Sequence, residues 1–241
     1  NGRRAPWLRT RDKRNTTATG HRTRSREQSR EFADDSEPSR TSVHRYVDNA
    51  TVDEDGTLNA APFSFFNVFA EDPATCVIGI SRRSDGSYND TSRIIREGGE
   101  FVVNMVDMDL AEGMNIAAID FAPEVDEFEM GGFTPVASRL VKPPRIAESP
   151  VSFECRRTVT LQLSASRDLV VGEILTMHVR EGLIDPEKLY LDQSKYDIVA
   201  RLYVDQYAPL KDIFKLKRWQ PEEWLAAQKK KDCPEDSQGG E

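Results

Sequence analysis

The residues with the most chemical promise are polar ones set inside apolar stretches. Ser64 and Asn67 lie within 63–69, a run that also holds Phe63, Phe65, Phe66 and Phe69. A polar side chain buried among rings needs hydrogen-bond partners, or it costs about 1–3 kcal/mol. The Asn67 amide offers a donor and an acceptor side by side, which suits the edge of a heterocycle such as a flavin or a base. The alternative is a buried strand whose polar groups bond the neighbouring backbone. Positions 64 and 67 point to opposite faces of one regular strand. Both serve one ligand only if the strand ends or bulges near Phe65 and Phe66, or if one contributes through its backbone.

A second set is Ser81, Arg82, Thr91 and Ser92. A polar loop at 82–89 leads into a helix predicted over 91–97, with Asp90 or Thr91 as N-cap and Gly98-Gly99 as its stop. The first turn of a helix leaves backbone N–H groups free and favours phosphate, and arginine adds bidentate charge-assisted bonds. The set therefore reads either as a monophosphate cradle or as ordinary capping beside a solvated arginine loop. Other chemistries find no support. The sequence has no HExxH, Walker A, GxGxxG or GxSxG motif. His21 and His44 fall in or beside a polar tail, and His178 falls mid-strand, where a core or barrel-wall role is expected. With no acid–base pair in view, no catalytic side chain and no metal site are assigned, and hard chemistry would fall to a bound cofactor.

The elements that must position these residues are mostly strands. The Asp53-Glu54-Asp55-Gly56 turn signal predicts a hairpin after a strand at 44–52. Pro62 marks the start or edge of the aromatic strand, because it cannot donate to a ladder. Further strands are expected at 75–81, 101–105, 151–163, 169–180, 198–204 and 213–216. In 169–180 both faces are largely apolar, which predicts a barrel wall covered outside as well as inside. A second helix is expected over 110–118, with Asp109 and Glu112 at capping-box spacing. Residues 120–150 read as loop, and 221–231 as a terminal helix opened by Pro221.

Composition narrows the class. The 241 residues carry a net charge of −8, unevenly spread: 1–41 hold eleven Lys+Arg against six Asp+Glu, which leaves −13 on the remainder. An acidic body argues against a nucleic-acid-binding core. The basic, Ser- and Thr-rich 1–41 segment is expected to be a disordered tail. The opening residue is Asn rather than Met, so a fragment, a processed form or an incomplete gene reading is expected. No stretch is long and apolar enough for a membrane helix, and no secretory signal precedes the body. Cys76, Cys155 and Cys233 form no CxxC pair, which points to reduced thiols in a cytoplasmic setting.

Taken together, several motifs resemble the flavin reductase-like family with the FMN-binding split-barrel fold. They are TVDEDGTLN at 51–59, APFSFFN at 61–67, NDT at 89–91, EFVVN at 100–104 and MN at 114–115. VDEF at 125–128, KPPR at 142–145, ESPVSFEC at 148–155, VGE at 171–173 and HVR at 178–180 continue the series. The similarity runs in register over about 50–218. The resemblance implies a mainly β protein: a six-stranded antiparallel split β-barrel over 42–218 with small peripheral helices. It would be followed at 219–241 by a helix and a disordered tail. It also implies a homodimer holding FMN near its interface. Ser64 and Asn67 would lie by the isoalloxazine, Ser81 and Thr91 by the phosphate, and Asn104 beside the same pocket. The implied activity is hydride transfer from NADH or NADPH to flavin, with a monooxygenase as a partner for the product. A non-catalytic flavin-binding dimer scaffold is the alternative. Two departures stand out. The family's Arg-Pro-Ile-like first strand is replaced by VHRYVDNA at 43–50, and Asn89 takes the place of a common lysine.

Overall fold

The computed structural model describes residues 44–232, apart from 46, 186, 188 and 189. The expected basic tail and the segment from Cys233 onward lie outside the described residues. In chain order, β1 (His44–Arg45), β2 (Val47–Val52) and β3 (Leu58–Phe63) come first. β4 (Phe66–Glu71), β5 (Ala74–Ser81), α1 (Asp90–Gly98) and β6 (Glu100–Met105) follow. Two short helices, α2 (Ala111–Ala117) and α3 (Glu127–Gly131), precede the small strands β7 (Pro135–Val136) and β8 (Arg145–Ile146). The long pair β9 (Val151–Ser164) and β10 (Arg167–Val179) leads to β11 (Val199–Tyr203), β12 (Gln206–Pro209) and α4 (Pro221–Asp232).

Seven strands form the main antiparallel sheet, in the order β3-β2-β6-β9-β10-β5-β4. β3 and β4 are the two halves of one stretch of chain, broken by a bend at Ser64 and Phe65. The Gly79 N–H donates to the Phe65 carbonyl at 2.8 Å, tying that bend to β5 and bringing the two ends of the sheet together. A Cβ on Gly79 would sit 3.0 Å from that of Phe65, so the close approach depends on glycine. Counting β3–β4 as one bent strand leaves the six-stranded split barrel.

Alternating residues of the strands fill two cores. Val47, Ile78, Phe101, Val103, Met105, Cys155 and Val170 pack inside the barrel with Ile95 of α1. Ala50, Ala60 and Val102 face the other way, against Met114 of α2 and Phe128 of α3. That second layer corrects the expectation of loop over 120–150. Asp126 caps α3 by accepting from the N–H groups of Phe128 and Glu129.

Other expectations also need correction. Asn89 is the N-cap of α1, accepting from the Ser92 N–H at 2.8 Å, rather than Asp90 or Thr91. α2 starts after Leu110 with no side-chain cap, so the Asp109–Glu112 spacing is not a capping box. No strand forms at 213–216; β12 lies just before it. On the outer face of the β9–β10 pair, Leu169 and Val171 of β10 are half-buried, while Val159, Leu161 and Leu163 of β9 are exposed.

Candidate functional site

Ser81 ends β5 opposite Arg167, the first residue of β10. Next to it, Asp168 is fully buried and accepts from three sides. Arg82 Nη2 lies 3.2 Å from its Oδ1, Arg96 Nη2 lies 3.0 Å from its Oδ2, and Ser92 Oγ lies 3.5 Å from its Oδ2. The guanidinium groups of Arg82 and Arg96 each sit 4.5 Å from the centre of the Tyr88 ring. Arg167 lies 4.4 Å over the Phe65 ring. Two arginines thus share one buried carboxylate, and Arg167, the neighbour of Asp168 in β10, stacks on Phe65 instead. Buried Arg82 Nε, Arg96 Nε and Arg167 Nη1 have no hydrogen-bond partner among the described residues. Orphaned cationic donors are costly in a folded chain unless an acceptor reaches them. Both the charge and the donor set suit an anion such as phosphate.

On the other side of the α1 start lies a cleft of about 450 Å³, walled by Asn59, Phe63, Thr91 and Asn115 among others. Thr91 is buried, and its Oγ1 accepts from Asn59 Nδ2 at 3.0 Å. Arg83 enters the cleft already bound to Asp90 at 2.6 Å. Asp90, Asp120, Glu127 and Asp205 outnumber Arg83 and Arg201 along its wall. An acidic wall disfavours phosphate and leaves the cleft better suited to an uncharged ring. Glu127 is anchored by the Ala60 N–H at 2.8 Å. Burial, reinforced by Asp90, Asp120 and Asp126, pushes its carboxyl up to about 7 against the pull of the Ala60 bond. Near neutral pH it can therefore present either a donor or an acceptor to the cleft.

The seven residues singled out from sequence separate in space. Ser81, Arg82 and Ser92 belong to the arginine cluster, and Thr91 belongs to the cleft. Ser64 sits in the bend between β3 and β4, half-buried. Asn67 is exposed, and its Oδ1 folds back onto the Val68 N–H at 2.9 Å. Asn104 lies outside the cleft. Its amide donates to the Asp48 carbonyl and accepts from Ile146 N–H and Ser152 Oγ, so it braces β2, β6, β8 and β9. His178 is a wall residue: its Nε2 meets the buried Glu154 at 2.6 Å. The sequence reading missed Asn59, Arg96, Glu127, Arg167 and Asp168. Arg96 and Asp168 carried a signal, being charges beside apolar strand or helix residues, but nothing in their spacing paired them. Among the described residues there is no cluster of His, Cys, Asp and Glu able to hold a metal.

Residues 44–200 match the flavin reductase like domain family, and the chain belongs to that family. An uncharacterised protein of Aquifex aeolicus is 41% identical over 153 residues, covering 64% of this chain and 77% of its own. Among solved structures, the 2-nitrobenzoate 2-nitroreductase NbaA of Pseudomonas fluorescens superposes with a TM-score of 0.68 at 33% identity. The match covers 76% of this chain and 90% of that one. Nitrilotriacetate monooxygenase component B of Bacillus cereus gives a TM-score of 0.71 at 26% identity, covering 84% and 100%. The residues present fit the FMN that this family implies. The orphaned guanidinium donors suit its phosphate, and the cleft with its aromatic and amide walls suits its ring. No helix among the described residues is long and apolar enough to cross a membrane.

Proposed function

We propose that the protein is an FMN-dependent oxidoreductase of the flavin reductase type, working as a cytoplasmic homodimer. Bound FMN would supply the redox chemistry, accepting hydride from NADH or NADPH. The observation that carries this reading is the set of orphaned guanidinium donors beside Ser81, with a ring-sized cleft on the other side of the α1 start, in a chain of this family. Arg82, Arg96 and Arg167, with Ser81 and Ser92, hold the phosphate. Thr91, Asn59 and Asn115 present hydroxyl and amide groups to the ring edge. Ser64 contributes from the bend between β3 and β4, and Asn67 from the start of β4, where it pairs with Val77. Asn104 keeps its bracing role, which holds β2 and β6 in register behind the cleft. The bare outer face of β9 supports the dimer, since Val159, Leu161 and Leu163 would gain a cover. The likeness to a monooxygenase component supports a monooxygenase as the consumer of reduced flavin.

Titrating FMN into the purified protein, and following flavin fluorescence and nicotinamide oxidation, tests the reading. Saturable quenching with NADH- or NADPH-dependent turnover is expected. Arg82→Ala should weaken FMN binding about 10- to 100-fold, the worth of a charge-assisted bond. A second reading is a flavin-binding scaffold without turnover. It is favoured by β2, where buried Asp48, Asn49 and Thr51 leave five side-chain atoms without partners among the described residues. Flavin quenching with no nicotinamide oxidation would select it.

A further inference from the structure

Beyond the cleft lies a second cavity of about 490 Å³, between α2 and the β11–β12 pair. Met108, Ala111, Met114, Val199 and Pro209 give it mostly apolar walls. Asn115, Asp205 and Tyr207 line both cavities, so the two adjoin. Its size and its apolar lining with a few convergent polar groups are those of a small-molecule site. Its charge is one-sided: Glu112 and Asp205 are acidic, and no lining residue is Lys, Arg or His. A carboxylate or phosphate entering it would meet two like charges and no cation. The arginine cluster that suits anions is elsewhere, beside Asp168.

We propose that this cavity is a binding site for an uncharged, largely apolar ring compound. Its identification as the place of the second substrate, next to the ring in the cleft, rests on the flavin reading. Its existence as a binding site does not. The apolar ring contacts Met108, Ala111 and Met114, while Asn115 at the shared wall orients a hydroxyl, carbonyl or nitro group toward the cleft. The acidic pair makes the site selective by charge, and it excludes the pyrophosphate of a nicotinamide dinucleotide.

The test uses two probes of one ring system, neutral 2-naphthol and anionic 2-naphthoate. Each is titrated by calorimetry and ligand-observed NMR into the full chain at neutral pH without flavin. Saturable binding of 2-naphthol, at least tenfold tighter than 2-naphthoate, is expected. Ala111→Phe from one wall and Ala208→Phe from the other should each weaken 2-naphthol at least tenfold, with circular dichroism and FMN affinity unchanged. The double variant Glu112→Gln/Asp205→Asn should narrow the gap between the probes by tightening 2-naphthoate. Non-saturable 2-naphthol, equal binding of both probes, or 2-naphthol binding that survives both filling variants in folded protein overturns the proposal. FMN titration of the same preparations separates the two readings. Flavin uptake without naphthol binding sinks only the cavity, and naphthol binding without flavin uptake sinks only the flavin reading.

Discussion

Asp48 is the residue whose chemistry fits its surroundings least. It is fully buried in β2, and neither carboxyl oxygen has a partner among the described residues. Burial, and then the charge of Glu127, push its carboxyl up to about 8. An unfolded aspartate titrates near ~3.9, so the folded chain holds a proton that the unfolded chain releases. The contribution of Asp48 to stability is therefore fully present below the unfolded value and is lost as pH rises toward 8, by on the order of 5 kcal/mol across that window. Asp48→Asn removes the titration. Urea unfolding at pH 5 and pH 8 should show a steep loss for the parent chain and a shallow one for the variant. A parent chain equally stable at both values would contradict the assignment. Glu127 works at the cleft itself. Glu127→Gln keeps an acceptor for the Ala60 N–H but cannot ionise, so it should flatten the pH dependence of FMN affinity around neutrality. An unchanged profile would show that Glu127 does not face the flavin.

At the scale of elements, two contacts hold the candidate site in place. Asp168 at the start of β10 neutralises Arg82 and Arg96, one from the loop after β5 and one from α1. Asp168→Asn should destabilise the fold by about 3–5 kcal/mol, because the arginines lose their buried countercharge. Chemical denaturation reads this directly. Within β10, a Cβ on Gly172 would lie 2.5 Å from Phe101 Cζ. Gly172→Ala should cost about 1–3 kcal/mol by overpacking the barrel interior. The strands β5, β6, β9 and β10 were legible because β-branched runs bounded by turn residues leave few alternatives. The Asp-Gly hairpin and the Gly99 stop of α1 were legible for the same local reason: Gly56 and Gly99 both adopt positive φ. α3 was not, since five residues among glycines and prolines carry no period. The bracing bonds of Asn104 were hidden because its partners, Ile146 and Ser152, are more than forty positions away. The pairing of Arg82 and Arg96 with Asp168 was hidden in the same way, by a barrel closure that no local pattern encodes.

For the whole molecule, the notable feature is apolar surface left bare. Val159, Leu161 and Leu163 project from the far half of β9, with Val68 and Phe69 exposed on β4. The 211–220 segment adds Ile213, Phe214 and Leu216, of which Phe214 is 77% exposed. The sequence pattern implied cover on both faces of β10, and a second copy of the chain supplies it in the proposed homodimer. Sedimentation should give a dimer for the parent chain and a shift toward monomer for Leu161→Asp. A monomeric parent at high concentration would remove the dimer. Function depends on a more basic point, that the arginine cluster and the cleft together receive one FMN. The most direct measurement is the visible absorption spectrum of the purified chain during FMN titration. Saturation near one flavin per chain with shifted bands is expected, and loss of that saturation in Arg82→Ala. A spectrum that remains that of free flavin at every ratio would contradict it.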